Sequence, residues 1–173
     1  MRRRVTSAPP HSLPDGIVRA VEEAIKRQAE KRVVDVPPVA VGESVCVVEN
    51  IVRMKVDAIV NAANHKLLGC FDPAHVCVDN VIHTWAGPRL RDECADALKV
   101  GGGEPLVTSG HCLPCKYVCH SVGPIWRDES KAEEYDDELV DTYLRALRAL
   151  AAEKPDVKTV AFPAISTGVF GFP

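Results

Sequence analysis

Residues Val56-Asp57-Ala58-Ile59-Val60-Asn61-Ala62-Ala63-Asn64 decide how this chain folds. Asp57 to Asn61 is a nearly continuous apolar run, the pattern of a strand covered on both faces. The run closes in two asparagines separated by two alanines. Amides at that spacing can bond loop backbone and a ligand hydroxyl while the alanines allow close approach, although asparagines after strands are most often turn formers.

Working outward, Asp15 to Arg32 reads as an amphipathic helix, with Ile17, Val18, Val21, Ala24 and Ile25 on one face and Asp15 placed to cap it. Val33 to Gly42, with Pro37-Pro38, reads as a linker, and Ser44 to Val48 as a short strand. Val78, Ile82, Trp85 and Ala86 mark a helix ending at Gly87, and Pro88 opens a second through Leu98, where proline is tolerated at a first position. Gly101-Gly102-Gly103 is a turn. Tyr117 to Val122 is a further buried strand, and Glu133 to Ala152 a long helix with Tyr143, Leu144, Leu147 and Leu150 on one face. Thr159 to Pro163 is a last strand. Strands alternating with helices predict an α/β three-layer α/β/α sandwich with a mixed sheet.

The expected organisation is a flexible tail over 1–14, a helix and linker over 15–43, and one domain over 44–173. The chain stops at Pro173 before the helix that a glycine-rich loop normally enters, so a domain lacking its C-terminal part is expected. At 173 residues the chain can bury a real core. Its net charge of -3 gives no general attraction to nucleic acid, and no apolar run is long enough to span a bilayer. Seven cysteines without an apolar secretory leader point to reduced thiols and a cytoplasmic location. The basic stretch before Pro14 leaves a mitochondrial leader as the alternative.

Cys70, His75 and Cys77 stand within the tight loop Gly69-Cys70-Phe71-Asp72-Pro73-Ala74-His75-Val76-Cys77, which runs straight into a helix. Two thiolates and one imidazole suit Zn2+ and leave a tetrahedral position open, as catalytic rather than structural zinc sites do. Ser166-Thr167-Gly168-Val169-Phe170-Gly171 has the composition of a phosphate loop, whose successive N–H groups turn toward one concavity. Taken singly it is better read as an ordinary tight turn, and no Gly-Lys-Ser/Thr makes it a Walker motif.

Together these segments resemble the macrodomain family, whose fold binds ADP-ribose. The resemblance runs from Val56–Asn64 through Val78-Asp79-Asn80-Val81-Ile82-His83, Ala86-Gly87 and Lys116–Pro124 to Phe162–Gly171, and covers about residues 44 to 173. Where most members carry a run of glycines, this chain has Cys70 through Cys77, which looks like the zinc-containing branch of protein ADP-ribosyl hydrolases often associated with sirtuin-type ADP-ribosyltransferases. The resemblance implies that Asn64 contacts the distal ribose and Asp79 sits beside the site, both as catalytic residues. Ser166, Thr167, Gly168, Val169 and Phe170 would wrap the pyrophosphate, and Cys70, His75 and Cys77 would hold zinc against the distal ribose. Glu49-Asn50-Ile51-Val52 stands where the family shows Gly-Asp-Ile-Thr. Asn50 can still accept a bond from the adenine amino group, without the charge that strengthens it.

The expected function is zinc-dependent removal of ADP-ribose from Asp or Glu esters on proteins. Its partners would be an ADP-ribosylated protein, ADP-ribose itself and a sirtuin-type transferase. The alternatives are a non-catalytic ADP-ribose reader and an O-acetyl-ADP-ribose deacetylase. Outside the site, Cys46, Cys94 and Cys119 read as buried thiols, Cys112 and Cys115 as structural ones. His83 and His120 read as hydrogen-bonded core histidines, and His65 and His111 as exposed.

Overall fold

Two apolar faces on one short sheet organise the chain. The computed structural model describes residues 9–36, 42–72 and 74–173. Most of the expected tail, part of the linker and Pro73 lie outside them. In chain order the elements are α1 (Asp15–Ala29), β1 (Val34–Asp35), β2 (Met54–Lys55), β3 (Ala58–Ala62), α2 (Val78–Ala86) and α3 (Pro88–Lys99). They continue with β4 (Leu106–Ser109), β5 (Tyr117–Ser121), α4 (Ala132–Glu153) and β6 (Val160–Ala161). Strands β4-β5-β3-β6 form the main sheet, with β3 parallel to β5 and β6 and β4 antiparallel to β5, so the sheet is mixed as expected.

Side chains alternate across a strand, and here both sides are covered. Ile59 and Val118 join Ile82, Ala86, Leu90 and Cys94 from α2 and α3 in one core. Ala58, Val60 and Cys119 join Ala146 and Leu150 of α4 in the other. The first helix, α1, packs outside α2 and α3. The result is the predicted three-layer sandwich. The in-register pairing of Asn61 with His120 sets these two polar residues side by side on the α2/α3 face.

Several local expectations are corrected. Pro14, not Asp15, occupies the cap position of α1, its carbonyl accepting from the N–H groups of Ile17 and Val18 at 2.9 and 3.1 Å. Asp15 is therefore the first-turn acid, favoured there by the helix dipole. Ser44 to Val48 forms no strand: Val45, Val47 and Val48 are exposed and no strand lies beside them to pair with. Cys46 is exposed for the same reason. Strand β4 was not anticipated, because its Leu106-Val107-Thr108-Ser109 run is short and half polar. The last strand shrinks to Val160–Ala161. On α4 the buried line is Thr142, Ala146 and Leu150, whereas Leu144 and Leu147 are 41 and 42% exposed. Small residues face the sheet because the helix backbone lies close to it, with Cys119 Sγ 3.9 Å from the Ala146 carbonyl.

Candidate functional site

The site gathers where β3 ends and α2 begins. Leu67 (φ 54°) and Gly69 (φ 80°) turn the chain sharply after Asn64. A side chain at Gly69 would meet the face of the His83 ring at 2.8 Å, so only glycine lets the loop cross there. The loop then carries Cys70, His75 and Cys77 to one place: their donor atoms all lie within 4.8 Å of one another, half-buried. Cys70 Sγ is 3.5 Å from His75 Nδ1. A zinc ion bonded to a thiolate and an imidazole at tetrahedral angles separates those two donors by roughly 3.5 Å, so the trio fits the ion that the donor types suggest. Burial first, then the neighbouring Cys70 and Asp79, push the Cys77 thiol up to about 11, against the opposing N–H of Asn80.

Cys77 also starts α2, its Sγ accepting the Asn80 N–H at 3.3 Å. Within the first turn, Asp79 points back to the strand end and accepts from Asn61 Nδ2 (2.8 Å, Oδ1) and Asn64 Nδ2 (3.2 Å, Oδ2). Burial lifts its carboxyl to about 6, although those amides and the Arg91 guanidinium pull it down. Asn64 is heavily engaged: Nδ2 also donates to the Gly69 carbonyl at 3.1 Å, and Oδ1 accepts the Lys66 N–H at 3.0 Å. Both its amide hydrogens therefore hold the scaffold, and a ligand hydroxyl would find its free capacity as an acceptor.

Ser166–Phe170 lies across the site. Ser166 adopts φ 67° and is buried, with an Oγ that has no hydrogen-bond partner. The loop is closed by Gly171 N–H to Gly168 O and Phe172 N–H to Ser166 O, both 3.0 Å. Thr167, Gly168 and Val169 are exposed, and the Phe170 ring stacks 6.4 Å from His65, which ties this loop to the one after Asn64. A side chain at Gly123 would strike Ser166 Oγ and Ile165, so glycine is needed beneath the loop. Asn50 and Ile51 sit apart, at the start of a 3₁₀ turn. Asn50 Oδ1 accepts the Val52 N–H at 3.3 Å, so the acceptor expected for adenine is partly occupied by its own turn.

His83, Cys94 and His120 form a second cluster of metal-type donors, fully buried. Asn61 Nδ2 is 3.1 Å from His120 Nδ1, and an amide nitrogen only donates. Nδ1 is therefore the acceptor, and the ring proton sits on Nε2, directed at Thr108 Oγ1 at 3.0 Å. With that tautomer His120 offers no lone pair to an ion shared with Cys94, whose thiol burial pushes up to about 12. The cluster works as a hydrogen-bonded pin beneath Asp79. His120 matches its expectation, but both ring nitrogens of buried His83 lack a hydrogen bond, Nε2 lying 3.5 Å from Asp79 Oδ1. His111 is half-buried rather than exposed, 2.6 Å from Glu93. Asn80 and His120 were not expected in the site, and Asn61, expected to bond loop backbone or a ligand hydroxyl, instead holds Asp79 and His120. The strand register and the helix turn bring them there, and sequence spacing alone does not show either.

Comparison with known proteins bears on the fold that carries these residues. The Macro domain family model matches residues 60–173. A macro domain-containing protein of Methanosarcina mazei is 48% identical over 124 residues, covering 72% of this chain and 62% of that protein. A protein-ADP-ribose hydrolase of Staphylococcus aureus is 39% identical over 164 residues, covering 89% of this chain and 60% of that protein. The crystal structure of a Trypanosoma brucei macrodomain in complex with ADP matches with TM-score 0.63 at 28% identity, over 99% of this chain and 76% of the other. The chain spans about three fifths of the length of the curated relatives it matches. With its mixed sheet, two helical layers and matched family model, the chain belongs to the macro domain family.

Proposed function

We propose that this chain carries the site of a zinc-dependent hydrolase that releases ADP-ribose from Asp or Glu esters on modified proteins. The observation behind this reading is the convergence of Cys70, His75 and Cys77 beside Asp79, itself fixed by Asn61 and Asn64. The name of the Staphylococcus aureus relative supports the hydrolase class.

Cys70, His75 and Cys77 would hold the metal, which when bound polarises an oxygen or lowers the pKa of a bound water toward neutrality. The chain's own groups do the rest. The Ser166–Phe170 backbone binds the pyrophosphate, so that remote binding energy places the scissile bond in the cleft. Asn64 Oδ1 and the Asp79 carboxylate accept from distal ribose hydroxyls and orient the sugar. Asn50 and Ile51 border the adenine. Fixed by two amides, the Asp79 carboxylate needs no reorganisation to hold a hydroxyl proton.

A Cys77→Ala variant separates turnover from binding. It is expected to lose zinc and at least about a hundredfold in ADP-ribose release, while calorimetry returns an ADP-ribose affinity close to wild type. Equal release by the two proteins overturns the catalytic role of the loop. A reader function is the second possibility, favoured by the full engagement of the Asn64 amide hydrogens in holding the loop. Tight ADP-ribose binding without turnover by the zinc-loaded wild type would establish it.

A further inference from the structure

We propose that Asn80 is the positioning residue of the Cys70–Cys77 loop and sets its affinity for zinc; this rests on the metal reading above. Among the described residues, 70–72 and 74–77 form no regular structure, and their internal bonds converge on Asp72. The Asp72 carbonyl accepts from the His75 N–H at 3.1 Å and from Cys70 Sγ at 3.5 Å, and Asp72 Oδ1 accepts the Ala74 N–H at 2.9 Å. Such a loop has little to keep three donors converged. Asn80 supplies what is missing from a rigid element, the first turn of α2. Its Nδ2 donates to the Asp72 carbonyl at 3.2 Å and to the His75 carbonyl at 2.8 Å. Its backbone N–H donates to Cys77 Sγ at 3.3 Å. One residue thereby touches the backbone at two points of the loop and the sulfur at its end.

The side chain is 7% exposed, so water does not compete for these bonds. One turn along the helix, Thr84 Oγ1 donates to the Asn80 carbonyl at 2.6 Å. Outer groups that orient metal ligands typically govern affinity by about 10- to 100-fold. Asn80→Asp keeps the size and suits a helix start, but it replaces Nδ2, the donor of both side-chain bonds, with an oxygen that faces the Asp72 and His75 carbonyl oxygens.

Zinc affinity is measured by competition with a chromophoric chelator for wild type, Asn80→Ala and Asn80→Asp, and Co2+ spectra report thiolate coordination. Thermal melting of the metal-free proteins checks that each folds. Both variants are expected to melt cooperatively, bind zinc 10- to 100-fold more weakly, and show weakened thiolate-to-cobalt absorption. Wild-type zinc affinity in either folded variant overturns the Asn80 assignment and leaves the metal reading standing. No stoichiometric zinc on the wild type overturns both.

Discussion

Gly69 and Gly123 decide more of the site than any charged residue does, since each occupies a place where a β-carbon has no room. At Gly69 the φ of 80° adds backbone strain to the contact with His83. Gly69→Ala is expected to destabilise the fold by about 1–3 kcal/mol and to displace Cys70, seen as a lower melting temperature together with lost zinc binding. Gly168→Ala meets nothing within 4 Å, so its melting temperature should stay near wild type. Gly123→Ala pushes against Ser166 and Ile165 and so moves the whole Ser166–Phe170 loop. It should weaken ADP-ribose binding by calorimetry about tenfold or more, because small displacements of positioning groups carry large penalties. Unchanged affinity would show that this loop does not contact the ligand.

At the scale of elements, Asp57 fastens β6 to β3. Its Oδ2 accepts from Lys158 N–H (3.0 Å), Thr159 N–H (3.1 Å) and the Thr159 hydroxyl (3.0 Å), and Lys116 Nζ lies 3.0 Å from Oδ1. Burial raises the carboxyl, but these donors outweigh it and hold it at about 2, below the usual 3.8. A depressed acid stabilises the fold above its unfolded pKa and ceases to do so as pH falls through its folded one. Denaturation midpoints should therefore fall between about pH 4 and pH 2, and Asp57→Asn should flatten that stretch while lowering stability at neutral pH. On α4 the corrected face makes its own forecast. Leu150→Ala, at 1% exposure, should lose about 2–5 kcal/mol, whereas Leu147→Lys should stay within about 0.5 kcal/mol. A large effect at Leu147 would mean that this face is covered in the working protein.

For the molecule as a whole, the proposed metal would couple the loop to global stability. An ion that binds only the folded state adds about 2.7 kcal/mol at a hundredfold excess over its dissociation constant. Treatment with a chelator should accordingly lower the melting temperature, and added Zn2+ should restore it. A melting temperature indifferent to both would count against a resident ion. The second donor cluster, His83, Cys94 and His120, belongs to the interior at this scale. It joins β3, β4 and β5 beneath the site through Asn61 and Thr108, and α3 through Cys94, so its variants should shift stability without altering metal content.

Much of this was legible in the chain of residues. Periodicity marked α1 through α4 and the strands β3 and β5, because a buried strand and an amphipathic helix each leave a local pattern. The Cys70–His75–Cys77 trio was readable because its donors lie close in sequence. What failed locally was decided by neighbours. Val45 and Val47 look like strand residues but find no partner, and Leu144 and Leu147 look like core residues but face outward. The roles of Asn61, Asn80 and His120 were hidden because they depend on strand register and on which turn of α2 faces the loop. Residue identity determined which chemistries are available here, since side-chain type sets donor softness and charge. Only packing decided which groups meet, which proton sits on His120 and which acid is lifted toward neutrality, because those follow from distance and burial across elements far apart in the chain.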